Sequence, residues 1–519
     1  MPATLNVAKR ADATRPGFAR FALLFSALFA ASALPILLCG TLPLFDYPNH
    51  LARMHILASL PDSAALQNFY AITWRPLPNL AMDLIVPPLA HLMPLAWAGK
   101  VFVLLTLLAL AGGAAVLHRV IFGAWSAWSL LAFLFLYNRI LLWGFLNFLF
   151  GVGLGLLALA LWIALGRRRR ALRLALGTLS ALALFFAHLL AFGLYGAMVM
   201  GYEAGEALRL RPAPRVALAN LAAAGLTFVP ALAILAFATP GAASGAVAWA
   251  HLARKLDLLF SVFDNYNRPF DLGCFGLLVL GLAMAYGRRW VRLDASMVAP
   301  LAVLAAVYLV MPSRLATGSG ADHRIPLLIA LLLVAGSRWT GPHERSRQLF
   351  LGAALALFLV RLGVVTASWQ ASDRVYAALL PAIDALPVGS RIAVAYSPES
   401  INSEATPLAH FPTLAIIRRD AFVPTLFAFP TQQPVALRPP YQDLARRLPP
   451  ERLWEGCMSG KVPLGGEERA ALDRYDFVAF IARRPFAEGA LARLDPVFTS
   501  PRFAIARVAS GEACSGVGN

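Results

Sequence analysis

Over its first 370 residues the chain alternates long apolar blocks with short charged clusters. A bilayer's hydrocarbon core is spanned by about 20 apolar helical residues, so each block predicts a transmembrane helix. The blocks fall at about 20–43, 98–117, 121–137, 146–165, 172–187, 189–208, 216–238, 271–287, 297–311, 325–337 and 349–368. A loop of intermediate polarity, 44–97, separates the first two. Within it Leu51, Met54, Leu57 and Leu60 recur at roughly helical spacing, and Pro48 suits a first helical turn. A short amphipathic helix is expected over 48–60, with His50 and Arg53 on its wet side. The apolar stretch 78–93 carries Asp83, His91 and two prolines, and is expected to lie at the membrane interface rather than to cross.

From about residue 370 the pattern changes. Apolar runs shrink to strand length at Arg391–Tyr396, Leu414–Ile417, Phe477–Ile481 and Phe503–Val508, with helices expected at Arg374–Leu386 and Glu467–Arg474. The expected fold is therefore a mainly α polytopic membrane protein of about 11 transmembrane helices, residues 1–369. A soluble α/β domain, 370–519, follows it.

Charge orients these helices. The chain is 59% hydrophobic and 14% charged, yet its net charge is +18. A nucleic-acid partner is not expected, because the cations sit in short clusters between apolar blocks. Lys and Arg are retained on the cytoplasmic side. With 78–93 interfacial, His118-Arg119, Arg167–Arg170, Arg209–Arg215, Arg288–Arg292 and Arg338–Arg347 all face the cytoplasm. The C-terminal domain then lies outside. It holds 16 Lys+Arg and 15 Asp+Glu from Ala371 onward, which leaves +17 of the excess to the membrane part. The expected location is a cell inner membrane, crossed many times, with the N-terminus cytoplasmic and the C-terminal domain periplasmic.

Lys9, Arg10, Arg15 and Arg20 precede the first block as they would in a signal peptide. The apolar run is longer than the roughly 7–15 residues of a signal sequence, so a retained helix is expected. The cysteines, Cys39, Cys274, Cys457 and Cys514, contain no CxxC pair, and no thiolate metal site is expected. Outside the cytoplasm, Cys457 and Cys514 either form a disulfide or stay as two thiols.

Ionisable groups are costly in a bilayer, so their placement carries information. On this topology Asp46, His50, Arg53, Arg139, Asn147, His188, Asp322, His323 and Arg324 gather at the outer ends of the helices. Each has a structural alternative. Asp46 would serve as an N-cap before Pro48, Arg139 and Arg324 would snorkel to lipid phosphates, and Asn147 would bridge helices. Together, a carboxylate and several cations suit an anionic lipid headgroup and a proton-accepting step.

The order of these parts resembles the GT-C class of membrane glycosyltransferases, of the lipid A aminoarabinose transferase and protein O-mannosyltransferase type. In that class an acidic residue just after the first helix is followed by an amphipathic helix in a long loop. Asp46-Tyr47-Pro48-Asn49-His50-Leu51-Ala52-Arg53 looks like that element, and Trp74-Arg75-Pro76-Leu77-Pro78 like the approach to the loop's second interfacial helix. A second acid often opens helix 4. Here Asn147 stands there, which argues against paired acids or a metal. His188 occupies a place where a basic group near the donor phosphate is common. The resemblance implies transfer of a sugar from a polyprenyl-phosphate donor to a lipid or glycan acceptor. On that resemblance Asp46 would act as the general base, and His50, Arg53, Arg139, His188 and Arg324 are candidates for the phosphate. Asn147, Asp322 and His323 are further site candidates. No cofactor is implied.

Two rival readings remain at this stage. A transporter or flippase of lipid-linked glycans would place charges near the midplane, and Arg361 inside the last helix favours it. A non-catalytic envelope assembly protein would use its C-terminal domain to bind a partner. The loop 239–270, with Trp249 and Phe260, is expected to suit acceptor or lipid entry.

Overall fold

The computed structural model describes residues 3–238, 247–315, 318–397, 407–459, 462–487, 489–491, 494–508 and 514. The first part of the expected entry loop, 239–246, lies outside them. The chain is mainly helical. Six described helices are long and apolar enough to cross a membrane: Gly17–Leu38, Leu95–Phe122, Leu146–Leu165, Arg170–Ala187, Arg268–Gly287 and Glu344–Asp384. A bent pair, Pro214–Leu226 and Val229–Phe237, would make a seventh. The chain is a multi-pass membrane protein.

Six or seven such helices stand against the eleven blocks read from the sequence, and the difference has local causes. The block 121–137 is not an α-helix. Ser126 accepts from the Trp128 N–H and Ser129 donates back to the Ser126 carbonyl, and a 3-10 helix follows, Ala127–Phe135. Side-chain bonds to the local backbone compete with the α-helical ladder. The block 216–238 bends by 44° where Thr227 bonds the Ala224 carbonyl and Pro230 opens the next helix. Ile325–Gly336, at 12 residues, spans only about 18 Å at the helical rise. Helices expected separately at 349–368 and 374–386 are one helix, Glu344–Asp384. The first helix stops at Leu38, short of the expected 43.

The expected division at 369/370 follows chain order, whereas the compact units follow space. One unit comprises Met1–Leu37, Pro76–Ala81 and Phe102–Thr366; the other comprises Leu38–Arg75, Met82–Val101 and Ala367–Asn519.

In the first unit, helices meet at glycines. A Cβ on Gly153 would lie 2.5 Å from the Ala109 backbone, and one on Gly113 would lie 2.8 Å from the Gly153 carbonyl oxygen. Helices Leu95–Phe122 and Leu146–Leu165 therefore touch backbone to backbone, the small-residue packing that association in lipid favours.

The second unit holds a four-stranded sheet in the order Ile392–Tyr396, Phe477–Ile481, Phe503–Arg507, Asp495–Thr499. The first pair is parallel and the other two antiparallel. Phe477–Ile481 is buried throughout, which matches its unbroken apolar run. Leu414–Ile417, expected as a strand, is instead part of a helix, Leu414–Arg419, following a turn with Pro412. A four-residue apolar run does not distinguish the two by periodicity. Cys457 and Cys514 form a disulfide.

Residues 38–75 belong to this unit structurally. Strand Tyr70–Ile72 pairs antiparallel with Val435–Leu437. Helix Tyr47–Ser59 shares a buried core with the C-terminal chain, in which Ala52, Ile56, Phe411, Ile416 and Phe422 take part. The Gly40 and Thr41 amides donate to the Asp373 carboxylate.

Candidate functional site

The candidate residues fall in two clusters, one in each unit. In the unit that holds the sheet, Asp46 occupies the N-cap position of helix Tyr47–Ser59 and Pro48 sits in its first turn. The Asp46 carboxylate makes no capping hydrogen bond, although its carbonyl accepts from the His50 N–H. The residue is 9% exposed. Its Oδ1 lies 3.4 Å from Nε2 of His410. The N-cap alternative therefore does not account for the carboxylate.

Asn49, one turn on, is fully buried and used at both ends. Its Nδ2 donates to the Thr425 carbonyl at 2.7 Å and contacts His410 Nδ1 at 3.2 Å, while its Oδ1 accepts from the Phe427 N–H at 2.7 Å. The Phe427 ring meets both His410 and His50 edge-on, with centroids 5.0 and 5.7 Å away.

Arg53 corrects the sequence reading. It was expected on the wet side of the helix, but it is 1% exposed. Its Nε and Nη2 donate to the two oxygens of Asp83, at 2.8 and 2.9 Å. Asp83 sits in the first turn of helix Ala81–Ala90, inside the segment expected at the interface. Arg53 Nη1 is buried without a hydrogen-bond partner. Burial also pushes the Tyr47 phenol up, so it stays neutral.

In the other unit, His188 joins helices Arg170–Ala187 and Leu189–Leu210 and caps the second, its Nδ1 accepting from the Leu190 N–H. An accepting Nδ1 puts the proton of a neutral ring on Nε2. Nε2 lies 3.4 Å from Nη1 of Arg324, whose guanidinium also sits 4.0 Å over the Phe145 ring. The Arg324 guanidinium and the His188 ring thus meet directly. Asn147 lies in the first turn of helix Leu146–Leu165 and donates to the Asn79 carbonyl at 2.5 Å. Asn79 Oδ1 in turn accepts from the Leu189 N–H.

Arg139 opens a short helix, Arg139–Trp143, and pairs with Asp264 at 2.5 Å. Gly144 ends that helix at φ +88, a left-handed turn that glycine adopts without a Cβ clash. Asp322 is fully buried and heavily partnered. It accepts from Ser313 and from the His323 N–H, faces the His323 ring, and has Lys255 Nζ at 3.5 Å. Arg361, the residue behind the transporter reading, pairs with Asp271 at 2.7 Å and donates to the carbonyls of Phe263 and Tyr137.

Several partners here had no signal in the sequence. His410, Asn79, Asp264 and Lys255 lie in ordinary-looking segments, and only folding brings them to the candidates. Among the described residues no three His, Cys, Asp or Glu side chains come together as a metal-ligand set.

No protein-family model matches this sequence. No curated protein matches it either. Its structure, however, matches the crystal structure of ArnT from Cupriavidus metallidurans bound to undecaprenyl phosphate. The TM-score is 0.50 and the identity 14%, over 95% of this chain and 98% of that one. The fold is ArnT-like. ArnT is a lipid A aminoarabinose transferase of the GT-C class, so the resemblance read from the order of parts holds at the level of fold. The apo state of the same ArnT matches with a TM-score of 0.48 and 14% identity, covering 96% of this chain and all of that one.

Proposed function

We propose that this chain is an integral membrane glycosyltransferase. It moves a sugar from a polyprenyl-phosphate donor to a lipid or glycan acceptor outside the cytoplasm. The observation that carries the reading is an ArnT-like fold along nearly the whole chain, with a largely buried carboxylate, Asp46, just after the first helix. In the proposed orientation the N-terminus is cytoplasmic, about eleven membrane segments follow, and the C-terminal α/β domain is periplasmic. The Cys457–Cys514 disulfide supports an oxidising location for that domain.

In this scheme the acceptor's hydroxyl or amine attacks the anomeric carbon while Asp46 takes its proton. The new bond to that carbon forms as the carbon–oxygen bond to phosphate breaks, and the electron pair leaves with the polyprenyl phosphate. Fixed cations stabilise that charge. Arg324 and His188, in contact with each other, are candidates for that role. Arg53 keeps one guanidinium arm beyond its pair with Asp83, His50 lies one turn after Asp46, and Arg139 would act through a guanidinium shared with Asp264. Asp322 and His323 would hold the approach to Arg324, and Asn147 would keep Asn79 and the His188 turn in place.

The transporter reading loses its main support, because Arg361 is matched by Asp271 and two carbonyls. Nothing specific favours a non-catalytic assembly role.

The test uses purified full-length protein in detergent, a panel of undecaprenyl-phosphate-linked monosaccharides and an envelope lipid and glycan extract as the source of acceptor, with release of undecaprenyl phosphate as the readout. The wild type is expected to release it. Asp46→Asn is expected to lose at least ~100-fold of the rate, the typical worth of a general base, while expressing and melting normally. Full activity in Asp46→Asn would overturn the base assignment. No release with any donor, together with no binding of undecaprenyl phosphate, would overturn the enzyme reading.

A further inference from the structure

The C-terminal chain brings the His410 ring to within 3.4 Å of Asp46, and several neighbours hold that ring. Phe45 and Phe427 pack edge-on against it at 5.2 and 5.0 Å. Its own carbonyl accepts from the Thr413 N–H and hydroxyl, which pins the backbone. Its Nδ1 is met by Asn49 Nδ2 at 3.2 Å.

The tautomer follows from Asn49. Its Oδ1 accepts from the Phe427 N–H, and its Nδ2 donates to the Thr425 carbonyl. Turning the amide over would break both bonds, so the amide nitrogen faces the imidazole. An amide nitrogen only donates, so Nδ1 is the acceptor and the ring's proton is on Nε2. Nε2 lies 3.4 Å from Asp46 Oδ1, a near contact rather than a formed hydrogen bond, and of the kind that tightens when a substrate completes a site.

We propose that His410 is a positioning residue for Asp46: its Nε2–H, set by Asn49, engages Oδ1 and leaves Oδ2 as the oxygen that takes the acceptor's proton. This rests on the glycosyltransferase reading. His410 neither gains nor loses a proton in the step. The acceptor's proton passes to Oδ2, and the departing electron pair stays on the phosphate. The consequence is a division of labour between distant stretches of sequence. The loop after the first helix supplies the base, and a residue 364 positions later sets its direction. The C-terminal domain is then part of the catalytic apparatus, and truncating it would remove more than an accessory module.

The experiment compares His410→Phe, which keeps the ring packing and loses the N–H, with His410→Gln, which returns an N–H donor at similar reach. Both are assayed by release of undecaprenyl phosphate from the most active donor of the panel, with melting temperature as the folding control. His410→Phe should lower kcat by about 10- to 100-fold, the loss expected when a reacting group is misplaced. KM for the donor should change by less than about threefold, since the phosphate contacts are untouched. His410→Gln should recover most of kcat. In an Asp46→Asn background His410→Phe should cost nothing further, because a positioning residue has nothing left to position. Wild-type kcat in His410→Phe beside an inactive Asp46→Asn overturns the proposal and leaves the base assignment standing. A fully active Asp46→Asn overturns both. Equal losses in the Phe and Gln variants, both melting as wild type, also overturn the proposal.

Discussion

Arg53 and Asp83 form a two-point ion pair that is almost completely shielded from solvent, with Nε on Oδ1 at 2.8 Å and Nη2 on Oδ2 at 2.9 Å. The pair ties helix Tyr47–Ser59 to helix Ala81–Ala90, whose residues from Met82 onward share its compact unit although 21 residues separate the two helices.

That pair should be unforgiving of half-removal. Breaking a buried pair leaves an uncompensated charge and costs about 3–5 kcal/mol, whereas replacing both partners by apolar residues is often close to neutral. Asp83→Leu alone should lower the melting temperature of the detergent-solubilised protein sharply. Arg53→Met with Asp83→Leu should recover much of the loss. If the double variant melts as wild type yet binds undecaprenyl phosphate poorly, the third guanidinium nitrogen is assigned to the phosphate. Equal destabilisation in single and double variants would show that helix packing, not charge pairing, dominates here.

Acid should loosen the sheet through Asp476. Burial alone would raise this carboxyl, but hydrogen bonds and charge from Arg391 outweigh it and hold the group below the ordinary carboxylate range. A carboxylate with a depressed folded-state pKa stabilises the fold at pH values above its unfolded pKa, about 3.9, and loses that contribution as pH falls through the folded value. Both side chains are more than a third exposed, so screening limits the effect to roughly 0.5–1 kcal/mol. Asp476→Asn should therefore melt slightly below wild type at pH 6, and the gap should close as pH falls below the ordinary carboxylate range. A gap that persists unchanged at low pH would mean that shape, not charge, holds this contact.

Topology can be read with reporter fusions and a thiol assay. A reporter placed after Arg170 should score as cytoplasmic, and one after Trp369 as outside. Protein taken from cells with free thiols blocked should carry Cys457 and Cys514 joined in one disulfide-linked peptide pair. Cys457→Ser with Cys514→Ser should lower stability by about 2–5 kcal/mol, the usual cost of losing a native disulfide. A cytoplasmic score after Trp369 would invert the proposed orientation.

Much of this was legible in the amino-acid order because the bilayer makes hydrophobicity nearly decisive. Blocks as long as the membrane is thick marked Leu146–Leu165 to the residue and Leu189–Leu210 nearly so. Pro48 and the spacing of Leu51 and Met54 marked helix Tyr47–Ser59 to within a residue at either end. Hydrophobicity could not show where local side-chain bonds interrupt a helix, as Ser126 does, or that residues on either side of 370 share one continuous helix. Nor does a pattern state who partners whom. Arg53 reads as solvent-facing because it falls three residues from His50, on the side of the helix away from the apolar face. Only the arrival of Asp83 makes burial tolerable, since a charge leaves water only when another compensates it. The same holds at Asp46. Its place after the first helix was visible in the chain, but the imidazole facing it comes from position 410. A contact across so much sequence is decided by tertiary packing alone.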